Sequence, residues 1–208
     1  MPVLTGGSHT LIKICGITRE EDAIAAVEEG CDLIGFIFAQ DSRRFVLPQE
    51  AARIAEKVKA RSSSLLLVGV FRNAETEFVK SVARQVGTDL VQLHGDETEH
   101  DVRSLGLRTI KAVSVHDSIP SEQYASAEWL MYDAPEAGGG DPFDWGILRG
   151  ESIRRPFFLA GGLRPENVVE ALETAAPDGV DVSSGVESAP GIKSRKKIQD
   201  FVSRVRSW

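Results

Sequence analysis

Two side chains in this sequence are of types that move protons. Cys15 stands in "KICGIT" (13–18), at the end of an apolar run and against a glycine, and Asp133 closes the apolar stretch of "WLMYDA" (129–134). A thiolate is a base and a nucleophile, and nearby helix N-termini would favour it over the thiol. A carboxyl group among apolar walls holds its proton more firmly and can serve as a general acid. Each also has a plainer reading. A lone cysteine in an apolar strand is usually packing, and an aspartate at a strand end often caps or salt-bridges its own loop. Cys31, after "EEG", has no comparable setting and reads as structural.

Two further stretches suit an anion. "AGGLRPENV" (160–168) and "DVSSGVE" (181–187) put Gly161, Gly162, Ser183, Ser184 and Gly185 where backbone N–H groups can approach closely. A phosphate fits such a cradle; tight turns alone are the competing explanation. In "AQDSRRFVLPQE" (39–50), Arg43 and Arg44 follow Ser42. Arginine captures a carboxylate bidentately, although an exposed pair is commonly a solvated surface. "EAGGGDPFDW" (136–145) reads equally as a lid or a plain surface loop. His9, His94, His100 and His116 are scattered, and neither cysteine has a Cys or His neighbour at metal-ligand spacing. No metal site or cofactor is indicated.

Something must hold these residues together, and the spacing of apolar runs says what. Runs rich in Val, Ile, Leu and Phe recur at 11–17, 33–38, 65–71, 90–95, 108–115, 129–134, 156–162 and 179–186. Near-continuous apolar strands are what a parallel sheet covered on both faces requires. Helical periods lie between them: Ala51, Ile54, Ala55 and Val58; Val168, Leu172, Ala175 and Ala176; Ile198, Phe201, Val202 and Val205. Thr18 with Glu21 fits a capping box, and Pro48 and Pro165 suit first-turn positions. Eight βα units predict an α/β fold, a single-domain (β/α)8 TIM barrel over 11–208, with residues 1–10 an N-terminal extension whose order is left open. A doubly wound sheet competes, but it would more often open with a GxGxxG or Walker loop, and "CGITRE" is neither.

In such a barrel the C-terminal strand ends converge on one face. That face would gather Cys15-Gly16, Phe38, Phe71-Arg72, His94-Gly95, Ser114, Asp133, Gly161-Gly162 and Ser183-Ser184-Gly185. Barrels often bind phosphate between the seventh and eighth loops, which makes a phosphorylated small molecule the leading substrate class. A net charge of -7 disfavours a nucleic-acid partner. No run reaches the length of a membrane span and no secretory signal is visible, so no membrane partner is expected and the chain reads as cytoplasmic.

With these residues in view, the chain from about Leu11 to Phe201 resembles the phosphoribosylanthranilate isomerases. The signatures stand as "KICGIT", "GFIF…SRRFV", "VGVF", "VQLHG", "YDA…GGGDPFDW", "LAGGLRPENV" and "GVDVSSGVESAPGIK". The resemblance implies an Amadori rearrangement of N-(5-phosphoribosyl)anthranilate in tryptophan biosynthesis, with no cofactor. It implies Cys15 as general base, Asp133 as general acid and Arg44 as the reader of the anthranilate carboxylate. Gln92 and His94 would line the barrel mouth, Asp181 would contact a sugar hydroxyl, and the backbone around Gly161-Gly162 and Ser183-Ser184-Gly185 would hold the phosphate. The chain departs from the family's usual S-P-R by having Arg43 before Arg44, and its strand-six loop reads "AGGGDPFDW" where GGTG or GGSG before FDW is usual. Either a monomer or a homodimer is compatible with the sequence. Two rivals remain: the related histidine-pathway isomerase, which carries a carboxylate where Cys15 stands, and a non-catalytic phosphate-binding barrel, which would need neither Cys15 nor Asp133.

Overall fold

A computed structural model describes residues 9–115, 123–135, 142–149, 153 and 155–208. Its centre is a closed barrel of eight parallel strands in sequence order: β1 (Leu11–Cys15), β2 (Leu33–Ile37), β3 (Leu66–Phe71), β4 (Leu90–Leu93), β5 (Thr109–Ser114), β6 (Trp129–Asp133), β7 (Phe157–Leu159) and β8 (Gly179–Val182). Closure is made by β1 against β8, in register from Leu11 opposite Gly179 to Ile14 opposite Val182. The eight apolar runs of the sequence all become strands.

Around the barrel lie α1 (Glu20–Glu28), α2 (Pro48–Arg61), α3 (Thr76–Val86), α4 (Glu99–Leu105), the single turn α5 (Gly146–Arg149), α6 (Val168–Ala175) and α7 (Arg195–Ser207). Two short strands, β9 (Glu187–Ala189) and β10 (Ile192–Lys193), pair antiparallel between β8 and α7. Eight helices were expected. Among the described residues no helix joins β5 to β6, and residues 116–122 of that connection lie outside the description.

The helical faces read from the sequence are the buried ones. Ala51, Ile54, Ala55 and Val58 face the sheet from α2, and Ile198, Phe201, Val202 and Val205 do so from α7. On α6 the face is Val168, Ala171, Leu172 and Ala175; Ala176 instead caps the helix in a left-handed conformation, φ 46°. Pro48 opens α2 as expected. The capping box at Thr18 does not form. Arg19 takes the N-cap position of α1 without a side-chain bond, and Thr18 Oγ1 donates to the Gly191 carbonyl oxygen at 2.6 Å. Pro165 lies in a turn before α6, whose first residue is Val168.

Side chains alternate along the strands, and the alternation divides the apolar residues into two bodies. Ile12 and Ile14 join the layer between sheet and helices, whereas Leu11 and Cys15 join the barrel interior with Leu33, Val68, Ile110 and Phe158. The rings of Trp129 and Phe158, from the neighbouring strands β6 and β7, meet in that interior with centroids 5.1 Å apart and planes tilted by 53°. Lys13 lies between Leu11 and Cys15 on the same inward face and is fully buried. Nothing about filling space asks for a charge there, because each buried ion costs several kcal/mol in lost hydration, roughly more than a buried aliphatic side chain gains.

At the chain start, His9 and Thr10 are tied to the barrel. His9 Nε2 lies 3.5 Å from Asp32 Oδ1, and Arg206 Nη1 donates to the Thr10 carbonyl oxygen at 2.7 Å. Among the described residues no helix is long and apolar enough to cross a membrane.

Candidate active site

The strand ends enclose a cavity of ≈ 340 Å³ at the C-terminal mouth of the barrel. Cys15, Arg44, Gln92, His94, Asp133, Gly161, Gly162, Asp181, Ser183 and Ser184 all line it. Gly185 does not; a Cβ there would run into the Leu163 carbonyl oxygen, so this glycine lets the eighth loop lie against the seventh. Phe38 and Ser114, also at strand ends, are not part of the lining. The lid reading of 136–145 rests mainly on residues 136–141, which lie outside the description.

Cys15 is buried at the end of β1. Burial pushes its thiol above the ordinary value, the Lys13 ammonium opposes that shift, and Asp181 reinforces it. Lys13 Nζ in turn donates to Asp181 Oδ1 at 2.8 Å, an ion pair inside the barrel. Burial by itself would lower Lys13, but the neighbouring Asp181 and Cys15 carry it above the usual lysine range. The β2 residue opposite Cys15 in register is Gly35. A Cβ on Gly35 would sit 2.9 Å from Cys15 Sγ and 3.2 Å from Lys13 Nζ, so both head groups occupy the notch that its missing side chain leaves.

Arg44 is reached from the loop after β2 and is held bidentately. Its Nε donates to Glu187 Oε1 at 2.7 Å and its Nη2 to Glu187 Oε2 at 2.9 Å. Lys193 Nζ adds a third contact to Glu187 Oε1 at 3.0 Å and also donates to the Ser183 carbonyl oxygen at 3.1 Å. Burial would raise Glu187, yet the Arg44 hydrogen bond and the Lys193 charge pull it below the usual carboxylate range. Burial lowers Lys193. The β9–β10 hairpin thus delivers a carboxylate and an ammonium to the rim, and Ser183 Oγ donates to the Cys15 carbonyl oxygen at 3.1 Å to tie β8 to β1.

Across the cavity, Asp133 is not the unpartnered carboxylate that its sequence setting suggested. Oδ1 accepts from the Ala134 N–H at 2.8 Å, and Oδ2 lies 2.9 Å from His94 Nε2. The other ring nitrogen, Nδ1, is 2.9 Å from Gln92 Nε2. A Gln92 amide donating to Nδ1 leaves the hydrogen on Nε2, directed at Asp133. The Gln92 carbonyl oxygen is buried with no hydrogen-bond partner. Beside Asp133, Gly161 and Gly162 adopt φ of 84° and 64°, left-handed backbone that favours glycine. A Cβ on Gly161 would lie 2.5 Å from the Ala134 nitrogen.

Three contributors escaped the sequence reading: Lys13, Glu187 and Lys193. Lys13 could have been found, since it stands two residues before Cys15 and a strand's period of two puts both on one face. Glu187 and Lys193 gave no such signal, because Arg44 meets its partner 143 residues away in the chain.

Residues 12–204 match the protein family described as N-(5'-phosphoribosyl)anthranilate (PRA) isomerase. An N-(5'-phosphoribosyl)anthranilate isomerase of Nitrosomonas europaea is 43% identical over 204 residues, covering 94% of this chain and 95% of the relative. Among solved structures, phosphoribosyl anthranilate isomerase from Thermus thermophilus superposes with a TM-score of 0.89 at 34% identity, covering 95% of this chain and 99% of that one. A phosphoribosyl anthranilate isomerase in complex with reduced 1-(o-carboxyphenylamino)-1-deoxyribulose 5-phosphate gives a TM-score of 0.86 at 37% identity, covering 96% and 100%. This chain belongs to the N-(5'-phosphoribosyl)anthranilate isomerase family.

Proposed function

We propose that this barrel rearranges N-(5-phosphoribosyl)anthranilate to 1-(2-carboxyphenylamino)-1-deoxyribulose 5-phosphate, the Amadori step of tryptophan biosynthesis, with Cys15 as base and Asp133 as acid. The observation that carries this reading is that a thiol and a carboxyl line one cavity whose rim also holds the glycine and serine loops and an arginine. Proton donor, proton acceptor and anion cradle are what this isomerisation needs.

Asp133, protonated, gives its proton to the furanose ring oxygen while the nitrogen lone pair forms a double bond to C1′ and the C1′–O bond breaks. The product of that step is an iminium. The Cys15 thiolate then removes the proton from C2′, giving an enolamine. Return of the thiol proton to C1′, with the enol hydroxyl proton going to Asp133, yields the ketose and restores both groups. No proton is gained or lost overall. His94 holds Asp133 in place through its Nε2–H, which donates to Oδ2 and leaves Oδ1 to carry the transferred proton.

Arg44 keeps the rest of its guanidinium for the anthranilate carboxylate while Glu187 holds two of its nitrogens. Gln92 offers its unpartnered carbonyl oxygen to a substrate N–H or O–H, and Asp181 receives a ribose hydroxyl. The phosphate rests on the backbone of Gly161, Gly162, Ser183 and Ser184, with Gly185 setting the distance between their two loops. The partner is therefore a phosphorylated small molecule. Both cysteines are free thiols, which supports a reducing, cytoplasmic setting.

The test is loss of anthranilate-type fluorescence when purified protein meets freshly generated N-(5-phosphoribosyl)anthranilate. We expect turnover by the wild type and a fall of about 10²–10⁴-fold in kcat for Cys15→Ala and for Asp133→Asn. A folded wild-type protein that leaves the fluorescence unchanged would overturn the assignment.

A further inference from the structure

A lysine and an aspartate form an ion pair inside the barrel, beneath the thiol and among the apolar side chains of the interior. Replacing such a pair with well-packed hydrophobic residues is often neutral or stabilising, so the fold itself does not call for it. Its position does. Lys13 Nζ and Cys15 Sγ both crowd the notch at Gly35, each within 3.2 Å of the point where a Cβ would stand. An ammonium carries three hydrogens, and Asp181 Oδ1 takes one of them. An opposite charge at this range favours the ionised form of its neighbour.

We propose that Lys13 is a positioning residue for the base: its buried ammonium, anchored by Asp181, favours the thiolate form of Cys15 against the burial that opposes it, and Asp181 limits how strongly it does so. This inference rests on the reading of Cys15 as the base, and it concerns the state of the sulfur before any substrate is present.

The surroundings of Cys15 single out Lys13 among the cations. From β1 it faces Lys13, from β8 Asp181, from the β9–β10 hairpin Lys193 with Glu187, and from the loop after β2 Arg44. Arg44 gives Nε and Nη2 to Glu187, and Lys193 is shared between Glu187 and Ser183. Asp133 and His94 line the far side of the same cavity and face each other. Lys13 has one ionic partner, and that partner is itself a wall of the cavity. Among the charges around the thiol, Lys13 does most to lower it and Asp181 most to raise it.

The opposite signs make the proposal testable without turnover. The rate of iodoacetamide alkylation at Cys15, followed by mass spectrometry of its peptide, is measured against pH for the wild type, Lys13→Met, Lys13→Arg and Asp181→Asn. Lys13→Met is expected to move the midpoint to higher pH and to slow alkylation at neutral pH by about tenfold or more, since one unit of thiol shift is a decade of thiolate. Lys13→Arg should recover most of that loss, and Asp181→Asn should move the midpoint the other way. In the turnover assay, kcat/KM of Lys13→Met should fall at neutral pH and recover as pH rises. If Lys13→Met does not fold, Lys13→Gln decides: it can still hydrogen-bond Asp181 but carries no charge, and a wild-type midpoint overturns the proposal. A folded Lys13→Met with the wild-type midpoint overturns it equally. Because alkylation needs no substrate, failure here is separate from failure of the wild type to isomerise, which would instead remove the reading of Cys15 as base.

Discussion

Around Cys15 the barrel mouth gathers ions: Lys13 on Asp181, and Arg44 and Lys193 on Glu187. Around Asp133, across the same cavity, it gathers an imidazole, an amide and one backbone N–H. The contrast suits the two proton transfers proposed above. A thiol must surrender a proton in a buried site, so charge has to be supplied around it; burial opposes the thiolate and only cations offset that. A carboxyl that must give a proton and take it back would instead be held at one oxygen while the other exchanges the proton, and an imidazole N–H donating to Oδ2 does this.

Charge removal should therefore hurt one side and geometry the other. The largest effect is expected for Arg44→Ala, which removes the proposed carboxylate reader and leaves Glu187 with Lys193 and the Gly191 N–H. Loss of about 10²-fold in kcat/KM, mostly as KM, is the expected outcome in steady-state assays. Next comes Gly35→Ala on the same ionic side. The new Cβ overlaps Sγ and Nζ, and overpacking of this kind costs about 1–3 kcal/mol, readable as a lower denaturation midpoint. His94→Gln tests the other side: a flexible amide can replace the bond to Asp133 but lacks the rigid ring whose two nitrogens meet Asp133 and Gln92 together. A fall of roughly tenfold in kcat, with KM little changed, is expected; an equal fall in Arg44→Ala and His94→Gln, both in KM, would erase the distinction between the two sides.

The smallest effect concerns pH. Glu187 sits below its unfolded value, so its contribution to stability is complete above the unfolded carboxylate range, about pH 4.3, and is lost as pH falls through the folded value. Thermal melts of Glu187→Gln should lose that part of the acid dependence while stability at neutral pH drops by an amount on the order of 1 kcal/mol. Activity runs in the same direction at higher pH: because burial holds the Cys15 thiol up, kcat/KM should rise with pH through the thiol range and flatten above it.

Much of the architecture was legible because it depends on local patterns. Apolar runs became strands, and buried faces such as Ile198, Phe201, Val202 and Val205 followed the helical period. The strand-end rule brought Cys15 and Asp133 to one cavity from sequence positions with no local relation. Partners were harder to read. Thr18 matched a helix-capping pattern yet bonds Gly191, a contact created by the β9–β10 hairpin folding over the start of α1. Asp133 looked isolated because "VQLHG" lies on another strand, and nothing local relates His94 to it. Lys13 was hidden within a run counted as apolar; its meaning depends on Asp181, a residue from the last strand.

That seam between the first and last strands has a consequence for the chain before it is finished. The Lys13–Asp181 bond and the Ser183–Cys15 bond each join residues 168 apart, and both come into being only when β8 docks on β1. Contacts so distant in sequence are the ones for which loop-closure entropy is greatest. A chain emerging from synthesis therefore carries Cys15 as an ordinary cysteine through most of its folding. The behaviour as a base proposed for it would arrive with the final strand, which makes the reactivity of this one sulfur a built-in clock for barrel closure.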